Sequence, residues 1–200
     1  MAKEQQVQQE NRSIIFCSHP SCFTHGRGLR SLKDGPNLIS LNEEQKNKLP
    51  LPLYAINRGG GLTFHYSGQI IIYPIVNLNK FPKALMTLMH LMLITTGDTL
   101  KELSFIPDYQ IRKDIYGLWS QGKKIASIGM GLDHYVTEHG LALNFFHDEH
   151  VFNILSEFYP CGISANTYGS VEKINGSLDQ NSREDFMKLF LNNFLRKFSS

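Results

Sequence analysis

The stretch Leu53-Tyr54-Ala55-Ile56-Asn57-Arg58-Gly59-Gly60-Gly61-Leu62-Thr63-Phe64-His65 joins a short apolar strand to three consecutive glycines. Consecutive glycines lose backbone entropy on folding and add no side-chain packing, so they indicate a sharp bend or a backbone that touches a ligand. The stretch lacks the Lys-Ser/Thr pair of a P-loop and the spacing of a dinucleotide fingerprint, which excludes both nucleotide motifs. A hairpin bend and a ligand-binding loop both stay open as interpretations.

Around this stretch, hydrophobic periodicity predicts a series of strands. The β-branched run at 70–76 predicts a central strand. Further strands are predicted at 14–17, 22–24, 118–120, 123–129 and 140–145. Gly122 is the predicted turn of a hairpin, and the period of two along a strand predicts Lys124 and Ser127 on opposite faces. Residues 26–28 are predicted to form a turn or loop, and residues 29–52 a surface loop with a short strand near 38–39.

Three helices are predicted from helical spacing and capping residues. The first opens at Pro82, in the position that proline favours, and ends near residue 96 or 103. The second follows a capping Asp148 and leads to residue 158. The third follows a capping box at 182–185. Its Phe186, Phe190 and Phe194 form a face that docks on the core.

The composition is that of an ordinary globular protein. The 200 residues are 42% hydrophobic and 19% charged, with a net charge of +2. This length favours one domain, which we assign to residues 14–200, after a polar arm or helix remnant at residues 1–13. The small net charge argues against nucleic acid as the main partner.

Cysteine usage and the hydropathy pattern favour a cytoplasmic protein. The three cysteines are Cys17, Cys22 and Cys161. Their low and odd number argues against a disulfide framework. The N-terminus is polar, which does not resemble a signal peptide. The longest apolar run, near 85–94, is too short to cross a bilayer, so no membrane association is expected.

Cys161 lies in Tyr159-Pro160-Cys161-Gly162-Ile163, directly after the second predicted helix. Pro160 stops that helix, and Gly162 adds no side chain that would obstruct a substrate. The residue is therefore a candidate nucleophile, with a small buried core cysteine as the alternative. The grouping of Cys17, His19, Cys22 and His25 invites a zinc site, but no second ligand pair follows downstream, so we expect no metal and no other cofactor.

Four segments together resemble the lipoyl(octanoyl) transferases, the octanoyltransferases of lipoate biosynthesis. They are Asn57-Arg58-Gly59-Gly60 with Thr63-Phe64-His65 and Gly68-Gln69, then Gly122-Lys123-Lys124-Ile125-Ala126-Ser127-Ile128-Gly129, then His139-Gly140-Leu141-Ala142-Leu143-Asn144, and Pro160-Cys161-Gly162-Ile163. A weaker match covers His19-Pro20 to Gly26 and residues 114–119. The order and approximate spacing are those of the family, over roughly residues 14–175.

The resemblance implies a fold, an activity and a set of partners. The fold would be a single α/β domain with a mixed central sheet flanked by helices, like the catalytic domains of lipoate and biotin protein ligases. The activity would be an acyltransferase that takes an octanoyl or lipoyl group from acyl carrier protein onto a cysteine. The acceptor would be a lysine on the lipoyl domains of 2-oxoacid dehydrogenases or on the glycine-cleavage H protein.

The resemblance also implies roles for individual residues. Cys161 and Lys124 match the family's catalytic cysteine and lysine. The acyl-binding residues would be Arg58, Gly59, Gly60, Gly61, Leu62, Thr63, Phe64, His65, Ser127, Ile128, Gly129, Gly140, Leu141 and Ala142. The sequence departs from the family pattern at Gly61, where Gln is usual, at Tyr66-Ser67, where Gly-Pro is usual, and in its short N-terminus, which predicts a missing edge strand.

Acyl transfer through a thioester explains why these residue types occur together. A thiolate attacks a thioester readily, and the new thioester stays reactive toward an amine. The Lys124 ammonium would favour the thiolate, and after losing its proton the amine would act as a base. A Cys-His dyad with His65 or His139 is the main mechanistic alternative. His134, His139, His147 and His150 otherwise read as structural hydrogen-bonding residues.

Two other functions stay open from the sequence. An ATP-dependent ligase of the same fold would need an essential lysine but no cysteine, which Cys161 argues against. A non-catalytic protein that binds lipoyl domains or acyl carrier protein is the second alternative, motivated by the departures at Gly61, Tyr66 and Ser67.

Overall fold

The computed structural model of the chain describes residues 5–9, 12–28, 49–80, 84–158 and 167–199. Within these ranges the strands are β1 Gln5–Gln9, β2 Arg12–Cys17, β3 Cys22–Gly28, β4 Leu53–Ala55, β5 Gly60–His65, β6 Gln69–Val76, β7 Gln110–Arg112, β8 Gly117–Ser120, β9 Lys123–Asp133 and β10 Val136–Asn144. The helices are α1 Leu85–Glu102, α2 Glu149–Phe158, α3 Val171–Asn175 and α4 Gln180–Ser199.

The described strands form two sheets. Seven of them lie in one sheet in the order β1-β2-β6-β10-β9-β8-β7, and the other three form a small sheet in the order β4-β3-β5. The α/β fold class is confirmed. In the large sheet the described pairs are antiparallel, and the parallel pair β3–β4 lies in the small sheet. Antiparallel neighbours can be joined by short hairpins, as β9 and β10 are here.

Strand β6 is the predicted central strand, and its position is confirmed. It pairs with β2 on one side and β10 on the other. Ile70, Ile71 and Ile72 are all buried, so both faces of the strand are covered. One face carries the main core, where α1 and α4 pack on the sheet with Leu88, Met92, Phe186 and Phe190 fully buried. The predicted docking face of the last helix is therefore confirmed.

The N-terminal segment differs from the prediction. Residues 5–9 form β1, which pairs antiparallel with β2 at the edge of the large sheet. The helix remnant predicted there as one alternative is wrong for residues 5–9, and so is the missing edge strand. The segment is polar because an edge strand needs only backbone groups to pair with its neighbour, so its composition carries little strand signal.

One local prediction is wrong, and the structure confirms the later of the two ends predicted for the first helix. Gly26, Arg27 and Gly28 continue β3 rather than forming a loop, and the register with β5 shifts between His25 and Gly28. Helix α1 continues past Thr96 and Gly97 to Glu102. A side chain at position 97 would meet the Tyr109 ring at 2.6 Å, so the glycine serves packing rather than a helix end.

Capping of α2 and α4 is decided by short polar side chains. The backbone N–H of Val151 donates to the Asp148 carboxylate at 3.2 Å, which confirms that cap. The capping box predicted at Ser182 lies inside α4. The helix is instead capped by Asp179, whose carboxylate accepts from the Ser182 N–H at 2.8 Å. The Asp179 N–H donates back to the Ser182 hydroxyl at 3.3 Å, which is the reciprocal pattern of a capping box.

Several predictions fall outside the described residues. These are the loop with its short strand at 29–48, the opening of the first helix at Pro82, and the segment 159–166 with Cys161. In the part of the chain that the structure does describe, no helix is both long and apolar enough to span a membrane.

Candidate active site

A cavity of about 1130 Å³ lies where β5, β9 and β10 meet the first turns of α1 and the segment around β7. Segments distant in sequence meet here, since Gly140 pairs with Gly129 and the Gly59 N–H donates to the Met130 carbonyl at 3.0 Å. Most residues assigned to the site from the sequence line this cavity together. They are Arg58, Gly59, Gly60, Gly61, Thr63, His65, Lys124, Ser127, Ile128, Gly129, Gly140, Leu141 and Ala142.

Leu62 and Phe64 do not line the cavity. They pack with Phe23 and Tyr66 in a second apolar cluster on the other side of β5. Successive side chains of a strand point to opposite faces, so Gly61, Thr63 and His65 face the cavity while these two residues support the strand from behind. Assigning the whole of 58–65 to substrate contact was therefore wrong at these two positions.

Arg58 stabilises the glycine loop from within. Its guanidinium is buried and donates to the carbonyl oxygens of Gly59, Gly61 and Thr24, each at 3.0 Å. These bonds fix the backbone of the three-glycine stretch against β3. The stretch is thus the start of a strand held by an internal cation, rather than a simple hairpin bend.

Lys124 and Ser127 both line the cavity, so the prediction that they point to opposite faces is wrong. Trp119 pairs with Lys124, yet Leu118 pairs with Ala126, which leaves Ile125 as an extra residue in β9. Such a bulge shifts the side-chain alternation by one residue. It turns Lys124 to the cavity side, where the residue is only 3% exposed.

The segment after residue 166 returns directly beside Lys124. Tyr168 forms a parallel bridge with Lys124, and the Gly169 N–H donates to the Lys124 carbonyl at 3.1 Å. This contact lies seven positions after Cys161 in sequence (168 − 161). Cys161 itself lies outside the described residues.

A chain of hydrogen bonds connects Lys124 to the glycine loop. The Gly169 carbonyl accepts from Asn144 Nδ2 at 2.9 Å, and Asn144 Oδ1 accepts from Gln69 Nε2 at 3.0 Å. Gln69 Oε1 contacts His65 Nδ1 at 3.1 Å. His65 Nε2 contacts Thr24 Oγ1 at 3.2 Å, and that hydroxyl accepts from Arg58 Nη2 at 2.9 Å.

The network itself assigns the His65 tautomer. Gln69 Nε2 donates to both Phe64 O and Asn144 Oδ1, so its Oε1 is the acceptor and His65 Nδ1 carries the proton. His65 Nε2 then accepts from the Thr24 hydroxyl. Both ring nitrogens are therefore engaged in this network, which argues against His65 as the partner in a Cys-His dyad.

Burial keeps the His65 ring neutral. It lowers the pKa of His65 to about 4, the Gln69 hydrogen bond opposes this, and the nearby charges of His19, Arg58 and His139 lower the pKa further. A neutral ring fits the donor and acceptor roles that the network assigns to it. His65 thus belongs to the framework of the cavity.

Two more histidines, His19 and His139, lie around Tyr73, which also lines the cavity. His19 Nε2 contacts the Tyr73 hydroxyl at 2.8 Å, and the His139 ring meets the Tyr73 ring edge-on. Burial lowers the pKa of both histidines; for His139, Glu138 opposes the shift and Arg58 and Arg27 add to it. His139 lines the cavity, so its position keeps it as an alternative base. Its backbone has a positive φ of 62°.

The structure adds residues to the site that were not assigned to it from the sequence. Thr24, Gln69, Asn144 and Tyr168 connect the site, and the cavity wall also includes Leu85, Met86, Met89, Ile111 and Tyr116. The apolar spacing of α1 was visible in the sequence but was assigned to the core. Gln69 and Asn144 stand in the matching motifs, but their hydrogen-bond roles could not be predicted, because their partners lie far away in the chain.

The suggested zinc ligands do not converge. Throughout the ranges described above, no three His, Cys, Asp or Glu side chains are placed to hold a metal ion together. His19 instead contacts Tyr73, and burial raises the pKa of the Cys22 thiol. His147 contacts the Glu149 carboxylate at 2.9 Å, in keeping with the structural role expected for it.

Comparison with known sequences matches residues 1–195 to the family model of the lipoyl protein ligase A/B catalytic domain. A similar curated protein is an octanoyltransferase of Bacteroides fragilis, 37% identical over 166 residues that cover 80% of this chain and 70% of the relative. An octanoyltransferase of Clostridium kluyveri is 28% identical, over 94% of this chain and 75% of its own.

Comparison with solved structures finds the same fold at low sequence identity. A lipoate-protein ligase A bound with ATP aligns with a TM-score of 0.66 at 13% identity, over 90% of this chain and 71% of the ligase. The biotin protein ligase of Aquifex aeolicus aligns with a TM-score of 0.50 at 17% identity, over 68% and 56% of the two chains.

Proposed function

Since the chain belongs to the lipoyl protein ligase A/B catalytic domain family, we propose that it is an acyltransferase of protein lipoylation that moves an octanoyl group through a thioester on Cys161. The observation that carries this proposal is the buried Lys124 in the wall of an apolar, glycine-lined cavity, beside the segment that follows Cys161. The chain acts as one catalytic domain that includes β1, working in the cytoplasm without a cofactor.

The donor is octanoyl-[acyl carrier protein], and the acceptor is a lysine of a lipoyl domain, in 2-oxoacid dehydrogenases or in the glycine-cleavage H protein. The cavity volume is about 1130 Å³. This exceeds the usual range for one small ligand. The cavity therefore has room for an acyl chain together with one further group. That group is either the part of the donor that carries the chain or the acceptor lysine side chain that receives it.

The first half-reaction is a thioester exchange. The Cys161 thiolate, favoured by the Lys124 ammonium, attacks the octanoyl carbonyl carbon of the donor. A new C–S bond to Cys161 forms as the donor's C–S bond breaks. The leaving thiolate takes the proton of Lys124, which leaves a neutral amine at position 124.

The second half-reaction restores both groups. The neutral amine of the acceptor lysine attacks the Cys161 thioester, so a C–N bond forms and the C–S bond breaks. Lys124 takes the proton that the attacking nitrogen loses, and Cys161 leaves as the thiolate. The octanoyl chain lies along Gly59, Gly61 and Gly129, where the absence of side chains lets it approach the backbone.

Intact-protein mass spectrometry after mixing with octanoyl-[acyl carrier protein] tests the route. We expect a gain of one octanoyl group without ATP, lost in Cys161→Ser and discharged by an unlipoylated lipoyl domain. Octanoylation of the lipoyl domain that requires ATP and free octanoate, with no adduct on this protein, would instead support a ligase. No adduct on a folded protein would contradict the covalent mechanism and favour the non-catalytic binder.

A further inference from the structure

The glycines that line or flank the cavity are needed for different reasons. At four glycines an added Cβ would lie only 2.0–2.8 Å from a backbone carbonyl oxygen. These are Gly26, Gly129, Gly131 and Gly140. Gly60 has a φ of +84°. Residues other than glycine rarely adopt that conformation. In each of these cases the protein's own backbone requires the glycine.

Gly61 has neither of these reasons. Its backbone is ordinary β-strand, and a Cβ built on it meets no atom within 4 Å. The residue is nevertheless buried and lines the cavity. A glycine inside a strand weakens that strand, so the space that it leaves open is the feature to be explained.

That open space points into the cavity. Leu62 and Phe64 pack in the second apolar cluster. The alternation of β5 therefore directs position 61 to the opposite, cavity side. The Gly61 carbonyl is fixed by the Arg58 guanidinium at 3.0 Å, which holds this wall in place. A side chain at 61 would thus project into the ligand space without disturbing the packing of the strand.

The segment of β5 from His65 to Gly61 is somewhat longer than an extended octanoyl chain. His65 is connected to the backbone of Lys124 through Gln69, Asn144 and Gly169. From His65 to Gly61 the strand advances four residues, or about 13 Å. An extended eight-carbon chain, with C–C bonds of about 1.5 Å, is about 9 Å long. A chain whose carbonyl lies level with His65 would thus extend along most of β5 toward Gly61.

We propose that Gly61 sets the length of acyl chain that this protein accepts, by leaving empty the part of the cavity that holds the methyl end of the chain. The proposal rests on the acyltransferase function above. A side chain at 61 fills this end and selects shorter chains, while the reacting end with Lys124 stays unchanged.

The test compares butanoyl-, octanoyl- and decanoyl-[acyl carrier protein] as donors for the wild type, Gly61→Ala and Gly61→Leu. The readout is kcat/KM for loading of Cys161. One methylene in an apolar pocket changes the discrimination between two substrates by about tenfold or more. Gly61→Leu should therefore lower the ratio of kcat/KM for octanoyl to kcat/KM for butanoyl donors at least about tenfold. Gly61→Ala should give a smaller shift in the same direction.

Leu62→Val is the matched control, since it shortens the adjacent side chain on the opposite face of β5. It should leave the ratio of chain lengths unchanged. If the wild type loads octanoyl groups and Gly61→Leu keeps the wild-type ratio, the role of Gly61 is overturned while the proposed function stands. If the wild type loads no acyl group at all, the proposed function itself fails.

Discussion

Gly169 donates its backbone N–H to the carbonyl oxygen of Lys124 across 3.1 Å. This single bond, with the bridge between Tyr168 and Lys124, attaches the segment after Cys161 to the strand that carries the candidate catalytic lysine. Backbone contacts of this kind hold a position without depending on side-chain rotamers. The cysteine and the lysine are 37 positions apart in sequence (161 − 124), and the chain is back beside Lys124 at Tyr168, seven positions after Cys161 (168 − 161).

Lys124→Arg should separate the two half-reactions. Arginine keeps a positive charge that favours the Cys161 thiolate, but it does not lose its proton and cannot act as the base. We expect octanoyl-Cys161 to form and then accumulate, with transfer to the lipoyl domain reduced about 10²–10⁴-fold. Time-resolved intact mass spectrometry measures both steps.

Lys124→Met is the companion variant, because it keeps much of the length of the buried side chain and removes the charge. Loading and discharge should both slow. A Lys124→Arg protein that discharges at the wild-type rate would exclude Lys124 as the base and leave His139, which also lines the cavity, as the candidate.

His65 should make the folded state less stable in mild acid. Its pKa is about 4 in the folded protein. In the unfolded chain it is about 6.5, so between these values the unfolded state binds the extra proton. The contribution of His65 is complete above about pH 6.5 and is lost as the pH falls toward about 4. The loss amounts to about 3 kcal/mol at an upper limit. Urea unfolding at several pH values measures it.

His65→Gln is the variant that checks this origin, since glutamine does not titrate. It should flatten the pH dependence of the free energy of unfolding in the mildly acidic range, whatever its effect at neutral pH. An unchanged slope in this variant would assign the acid sensitivity to other groups.

Gln69 and Asn144 should be energetically coupled. Both side chains are buried and share a 3.0 Å hydrogen bond, so removing one leaves polar atoms of the other unsatisfied. Gln69→Leu or Asn144→Leu should each cost about 1–3 kcal/mol. The double variant should cost less than the sum, with a coupling of about 0.5–3 kcal/mol. Additive costs in urea unfolding would show that the pair is not a unit.

Gly140→Ala and Gly61→Ala should differ in stability. A Cβ at 140 would lie 2.0 Å from the Ile72 carbonyl oxygen, next to the Leu141–Ile72 pair of β10 and β6, whereas one at 61 meets nothing within 4 Å. We expect Gly140→Ala to destabilise the fold by about 1–3 kcal/mol or more. Gly61→Ala should be neutral or slightly stabilising, as measured by melting temperature. Equal melting temperatures would contradict this account of the two glycines.

The sequence predicted most of the secondary structure wherever side chains carry a local pattern. The β-branched run of β6, the apolar spacing of α1 and the phenylalanine series of α4 are all read from neighbouring residues. The predictions that were wrong involve backbone pairing, which leaves little trace in composition. Strand β1 and the continuation of β3 through Gly28 are formed by pairing with another strand.

By itself, the sequence determined the family, the fold class and most of the residues that meet at the cavity, because the residue types of the site stand in short motifs that can be read along the chain. Only the tertiary structure decided which of those side chains point into the cavity. The Ile125 bulge turns Lys124 toward Ser127, and Leu62 and Phe64 turn away from the cavity. It also decided the role of His65, since a histidine is assigned by the partners of its two nitrogens, and those partners come together with it only in the folded chain.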